Sequence, residues 1–310
     1  MTEYTTNSVR HGYEGLSKNG TLTLESGDKY EGSLENGVMA GFGRITYSKD
    51  DKNNREYYTG EFKNGKRHGS GKLVWKNGQM CEGNWANDTL NGKGKVIYSV
   101  HDESMRKYYI GDFKDGKKHG RGRVENTLGA FYEGEFENDQ INGTGKSRWE
   151  DGNSHQGEYV NGKRNGKGTF YWANGNKYEG EFKNEKLSGT GTFTWPSGIK
   201  YFGEFANDAP NGNGTYLYHP ASIALIYEGE FKDWNKHGFG KLFGRNGERY
   251  EGQFKDGLYS GFGKYYFKDG TRFEGNWAND KRHGSGTQFD ANDNVEYKGH
   301  WINGARLIFI

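Results

Sequence analysis

The chain has 310 residues, of which 52 are Gly, well above the roughly 7% of ordinary proteins, and 16% are aromatic. Lys and Arg (43) nearly cancel Asp and Glu (41). The resulting charge of +2 excludes the basic surplus of a dedicated nucleic-acid binder and the large net charge of a disordered chain. Three prolines exclude a proline-rich linker array, no apolar run is long enough for a membrane helix, and the single cysteine, Cys81, makes neither an internal disulfide nor a metal site by itself. The start, Met1 to Asn7, carries no basic stretch followed by an apolar one. A soluble protein of a reducing, cytoplasmic compartment is the expectation.

In chain order, residues 1–27 hold one partial copy of a motif, Tyr13-Glu14-Gly15, and read as a degenerate repeat or cap. From residue 28 to residue 304 the motif recurs in register, in its plainest form Tyr-Glu-Gly with an aromatic two residues on. Its anchor glycines are Gly32, Gly60, Gly83, Gly111, Gly134, Gly157, Gly180, Gly203, Gly229, Gly252, Gly275 and Gly299. The spacing is 23 residues in most copies and 24 to 28 in the others. A Gly-x-Gly begins nine residues after each of the first eleven anchors, from Gly41 to Gly284. Such a period is the mark of a repeat architecture.

Within a copy the alternation is of period two. Tyr178, Gly180 and Phe182 fall on one face, and Glu179, Glu181 and Lys183 on the other; Gly189, Gly191, Phe193 and Trp195 then alternate with Thr190, Thr192 and Thr194. Asn64-Gly65, Asp115-Gly116, Asn161-Gly162 and Asp256-Gly257 supply the tight turn inside a copy, and Gly78, Gly152, Gly175, Gly198, Gly247 and Gly270 the turn between copies. Two turns per period predict one hairpin per copy. A glycine on the aromatic face lets a neighbouring ring lie over the backbone. The fold class is therefore all-β: an elongated single-sheet antiparallel meander of stacked hairpins, curled into an aromatic-lined trough. Residues 305–310 end in Leu307-Ile308-Phe309-Ile310, an apolar strand that either caps the last hairpin or pairs with a second copy across the open edge as a homodimer.

The arrangement resembles the MORN repeat family (membrane occupation and recognition nexus). Residues 178–191 match its unit closely, as do 58–71 and 250–263. Leu34 at the aromatic position, Cys81 and His155 at the first Tyr position, and the last copy, which lacks Gly-x-Gly, depart from it. The resemblance implies a meander of stacked hairpins and cytoskeletal settings, including cilia and flagella with their radial spokes.

Catalytic signatures are missing. Gly143-Thr144-Gly145-Lys146-Ser147 mimics the end of a phosphate-binding loop, but the required first glycine falls at Gln140 and a strand follows it. The acids Glu31, Glu133, Glu179, Glu228 and Glu251 recur at one polar position and read as a solvated row paired with lysines, not as an unlike catalytic pair. No enzyme, cofactor or metal is expected, and the histidines at His68, His119, His237 and His283 read as hairpin-loop residues.

The expected function is a nonenzymatic scaffold that docks proteins of a cytoskeletal or ciliary complex. The rings Phe62, Trp85, Phe113, Phe136, Tyr159, Phe182, Phe205, Phe231, Phe254, Trp277 and Trp301 are expected to be largely core. Trp75, Trp149, Trp172 and Trp195 on the opposing strands are the candidates for gripping a partner segment. Three insertions, Ser48 to Glu56, Ser99 to Tyr108 and His219 to Ile226, lengthen turns between copies. The first two read as flexible charged loops, while the third carries Ile223, Leu225 and Ile226 as an apolar docking point. An alternative function is a peripheral membrane module that binds anionic phosphoinositide lipid through Lys66, Arg67, Lys117, Lys118, Lys281 and Arg282 in the hairpin loops.

Overall fold

The structure, a computed structural model, describes residues 18–307. Among these there are twenty-five β-strands and no helix. The chain divides into two compact units: residues 18–152 with Tyr159–Gly162, and Asn153–Glu158 with residues 163–307. In the first unit the strands run from Lys18–Thr23 to Gln140–Arg148, each antiparallel to the next in sequence. The second unit repeats the pattern from Lys163–Tyr171 to Ala305–Arg306. One hairpin per copy, in an antiparallel meander, is thus what forms. Tyr13 and its partial motif lie outside the described residues, as do Ile308, Phe309 and Ile310.

Both central residues of the tight turns are left-handed, as a primed hairpin turn requires: φ is 50° at Asn64 and 77° at Gly65. The Asn-Asp turns adopt the same geometry, with φ of 48° at Asn87 and 71° at Asp88.

Strand register explains the motif. In the hairpin Arg55–Lys63/Lys66–Trp75, Gly60 faces Gly71, and a bulge follows before Phe62. A side chain on Gly71 would occupy the place of the Tyr58 ring, which lies across the backbone there and is fully buried. The Tyr58 hydroxyl then donates to the Glu61 carbonyl at 3.1 Å. Nine described tyrosines make this bond to the carbonyl three residues on.

The first glycine of Gly-x-Gly differs from its predicted role on the ring face. The bulge turns Gly69 (φ 57°) toward the polar side, where a Cβ would strike the Glu61 carboxylate. That carboxylate folds across the bulge and accepts from the Ser70 backbone N–H at 2.9 Å. Glu158, Glu230 and Gln253 repeat the device with Lys167, Phe239 and Phe262. Gly143 of the phosphate-loop mimic is the same bulge residue, under the Glu135 side chain.

Each unit holds one core of edge-to-face rings. In the second unit the Tyr and Phe or Trp rings of successive copies alternate from Phe182 to Tyr297, with centroids 4.8 Å apart at Tyr201 and Phe231 and 5.5 Å apart at Tyr297 and Trp301. The first unit carries the same ladder from Tyr30 to Trp85 and from Phe113 to Tyr159. Cys81 interrupts it as a buried filler at a Tyr position. All eleven rings at the predicted core position are buried. No second layer covers the ring face of either unit among the described residues.

The insertions are anchored. Asp51 pairs with Arg55 at 2.7 Å and Asp102 with Arg106 at 2.6 Å, and each guanidinium stacks on a ring, Tyr47 and Tyr98 respectively. Asn54, Met105 and Ile223 then accept backbone bonds from Lys76, Thr127 and Arg245 of the following turn. The first two loops are therefore tied at both ends, contrary to their charged and flexible appearance. At the end of the chain Trp301 pairs with Arg306, and the Leu307 N–H donates to the His300 carbonyl at 2.8 Å, so the segment as far as Leu307 folds back on the last hairpin.

Candidate functional site

The ring face is bordered by a row of alternating character. The residue seven positions after each of the first eleven anchors alternates between apolar and cationic: Met39, Arg67, Leu90, Lys118, Ile141 and Arg164 through the first six copies. Leu187, Pro210, Lys236, Tyr259 and Arg282 continue the row with one irregularity, the neighbouring Leu187 and Pro210. The cations lie over rings. Arg67 stands 4.6 Å from the Trp85 centroid, Arg164 the same from Phe170, and Arg282 4.0 Å from Trp301. Lys118 stands 5.4 Å from Tyr109, and Lys236 5.3 Å from Phe254.

This geometry divides the six candidate lipid-binding residues. Lys66, Lys117 and Lys281 point to solvent, whereas Arg67, Lys118 and Arg282 turn onto the ring face. Arg67 is bonded to Asp88 (3.1 Å), and Arg282 reaches the Gln288 side chain and the Gly304 carbonyl. The row of acids sits as expected on the polar face, with Arg123 on Glu133, Lys177 on Glu179 and Arg249 on Glu251. No group of three metal-ligating side chains occurs among the described residues.

Consecutive hairpin loops are stitched by the same cationic and apolar row. In all eleven junctions the backbone N–H five residues after an anchor donates to the carbonyl of the preceding row residue. Where that fifth residue is acidic, its carboxylate also accepts the N–H of the row residue: Asp88 from Arg67, Asp139 from Lys118, Glu185 from Arg164, Asp208 from Leu187 and Asp280 from Tyr259.

One hairpin differs from the others in both residues of its junction with the hairpin before it. Its strands are Ala224–Lys232 and Asn235–Gly244. The preceding row residue is Pro210, which has no N–H to offer. The fifth residue is Trp234, where every other copy has Gly, Asp or Glu. Trp234 is held at φ 69°, a left-handed conformation that costs a bulky residue about 1–2 kcal/mol. Its indole lies over the ring face, 5.4 Å from Phe193, 5.6 Å from Trp195 and 6.2 Å from Phe205, yet remains 41% exposed. Two residues later the Lys236 ammonium has no carboxylate within ion-pair distance among the described residues, because the next loop offers Gly257 in place of an acid. Burial among rings pushes its pKa down. An open depression of about 470 Å³ lies around the polar-side bulges of this hairpin and the next, lined by Glu230, His237, Phe239, Gln253, Phe254 and Ser260 among others, and Lys236 is not part of its lining.

Of the candidate partner-gripping residues, Trp172 and Trp195 meet on this face through Phe193 and are half-buried. Trp195 also contacts Tyr216. Trp75 is half-buried against the first unit's core, and Trp149 is 36% exposed. Ile223 projects into solvent at 76% exposure, while Leu225 and Ile226 are half-buried in the sheet margin. Trp234 escapes a reading by ring position because it stands in a turn. Its signal was the pairing of a proline in the preceding row with a tryptophan where turns otherwise carry Gly or an acid.

The family model for the MORN repeat matches eleven times: residues 30–52, 58–80, 81–102, 109–124, 132–154, 155–177, 178–200, 201–220, 227–249, 250–272 and 273–295. The chain is 35% identical over 81 residues to Alsin of Homo sapiens, covering 26% of this chain but 5% of that protein. It is 40% identical over 73 residues to MORN repeat-containing protein 3 of Xenopus laevis, covering 22% of this chain and 30% of the relative. Among solved structures, the SAS-4 TCP domain of Drosophila melanogaster, in complex with a proline-rich motif of Ana2, aligns at 11% identity and a TM-score of 0.29 over 65% of this chain and 99% of that one. The TCP10 domain of Danio rerio CPAP in complex with a STIL peptide gives 10% identity and a TM-score of 0.25 over 92% and 100%.

Proposed function

Because the chain belongs to the MORN repeat family, whose repeats suggest a protein-interaction or membrane-binding module, we propose that it is a nonenzymatic scaffold that docks other proteins on its ring face, in a cytoskeletal or ciliary assembly of the cytoplasm. The observation that carries this reading is the half-exposed aromatic row of the second unit, Trp172, Trp195, Tyr216 and Tyr218, which no second layer covers among the described residues. Aromatic groups set in an otherwise polar surface are the usual anchors of protein recognition. The cytoskeletal setting rests on the family resemblance.

The test is retention in the cell. The tagged chain is expected to remain with the detergent-insoluble cytoskeleton, and Trp172→Ala with Trp195→Ala to release it while the protein stays folded. A wholly soluble, diffuse wild type contradicts the setting. Salt-sensitive sedimentation with phosphoinositide vesicles, abolished by Lys66→Glu, Lys117→Glu and Lys281→Glu, contradicts the scaffold reading in favour of the membrane.

A further inference from the structure

The hairpin Ala224–Lys232/Asn235–Gly244 combines features that the repeat does not need. A glycine or an acid satisfies its turn in every other copy, so Trp234 is not there for the turn. The indole leans back over Phe193, Trp195 and Phe205, on the copies before its own. Lys236 leans the other way, over Tyr227 and Phe254. An ammonium held against rings without a counter-ion is costly unless a carboxylate arrives, because desolvation disfavours the charge that the rings compensate only in part. Arg67 and Arg164, at the same row position, already own a carboxylate from the next loop. Lys118 has none as an ion-pair partner either, but the Asp139 carboxylate sits on its backbone N–H, whereas no acid stands at the corresponding place after Lys236.

We propose that Trp234 and Lys236 form a two-point docking site for a linear acidic segment of a partner protein, an Asp or Glu carboxylate meeting the Lys236 ammonium and an aromatic or large aliphatic side chain packing in the corner between Trp234 and Trp195. The two anchors lie about three strands apart, on the order of 14 Å, which an extended chain spans in about four or five residues. The partner chemistry follows from the charge: Lys236 has no ion-pair partner among the described residues, the Asp280 charge acting on it only from beyond ion-pair distance, and the apolar corner beside it is already exposed. The inference rests on the ring face being a docking surface, and it assigns the occupant.

The experiment selects a displayed library of random twelve-residue peptides against the full chain and measures the enriched peptides by fluorescence polarisation. Enriched peptides are expected to carry Asp or Glu four or five residues from an aromatic or Leu. Lys236→Gln and Trp234→Gly are each expected to weaken them at least ten-fold. Trp234→Gly installs the residue that other copies use at this turn, so its melting temperature should equal or exceed that of the wild type, which separates lost binding from lost folding. Enriched peptides without acids, or acidic peptides indifferent to both substitutions, overturn the site. If such peptides are lost only in Trp172→Ala, the docking face stands and this assignment falls. A large drop in melting temperature for Trp234→Gly with binding unchanged overturns it as well, by making Trp234 a core residue.

Discussion

The Asp88 carboxylate accepts from both the backbone N–H of Arg67 (3.0 Å) and its Nε (3.1 Å), linking the turns of two successive hairpins. The guanidinium it steadies is largely buried over Trp85, with side-chain exposure of 12% against 46% for Asp88. Cation, ring and acid therefore act as one fastener between neighbouring copies.

Asp88→Ala should strand the Arg67 charge and destabilise the protein by about 1–3 kcal/mol, below the roughly 3–5 kcal/mol of a fully buried pair because Asp88 is half exposed. Arg67→Leu combined with Asp88→Gly recreates the pair found at Leu90 and Gly116, where only the backbone bond remains. Urea unfolding of Arg67→Leu, Asp88→Gly and the double should then give a double variant more stable than Asp88→Gly alone. Additive losses would show that the two residues act independently.

His155 stands at a position where nine copies carry Tyr, and it packs edge-to-face on Phe182 at 4.9 Å. Burial, with the nearby Arg164 charge as a smaller contribution, pushes its pKa down to about 4. The folded state therefore binds this proton less readily than the unfolded chain, whose His titrates near 6.5. Stability is unaffected above about pH 6.5 and falls as pH drops from there toward 4, by about 2 kcal/mol once solvent screening is allowed for. His155→Tyr supplies the usual ring and removes this titration. Chemical unfolding at pH 7 and pH 4.5 should show a smaller loss for the variant than for the wild type, and equal losses would contradict the assignment.

Much of this was legible in the sequence, and the reason is physical. Period-two alternation and turn residues with left-handed preference are local properties, so the hairpins, their turns and the buried ring positions follow from them. The bulge was not legible. It turns Gly69 away from the ring face, and that depends on the Glu61 carboxylate reaching a backbone N–H nine residues on. Trp172 and Trp195 could be placed on the ring face because they share the ring parity, but the ring contact that joins Trp195 to Trp234 spans a turn and appears only once strands of different copies lie side by side. Likewise Arg67 and Lys66 are neighbours in sequence and alike in charge. Only strand parity sends one onto Trp85 and the other into water.

Burial pushes the Cys81 thiol up to about 12, with the Arg67 charge opposing it only weakly. A neutral, enclosed thiol is a poor nucleophile. Iodoacetamide labelling of the native protein at pH 8 should be slower by orders of magnitude than in denaturant, and its rate should rise with urea as the first unit opens. Rapid labelling under native conditions would mean that the ring ladder does not close over this position.

The central claim is that a tyrosine ring lying on two bare glycines holds each hairpin together, and Gly191 tests it most directly. Its Cβ would enter the space of the Tyr178 ring, whereas a Cβ at Gly198, in the turn that follows, would meet nothing. Unfolding free energies of Gly191→Ala and Gly198→Ala should differ sharply. Displacement of the buried ring should cost about 3 kcal/mol or more, against about 1 kcal/mol for the left-handed turn position. Equal costs, or a larger cost at Gly198, would contradict the account.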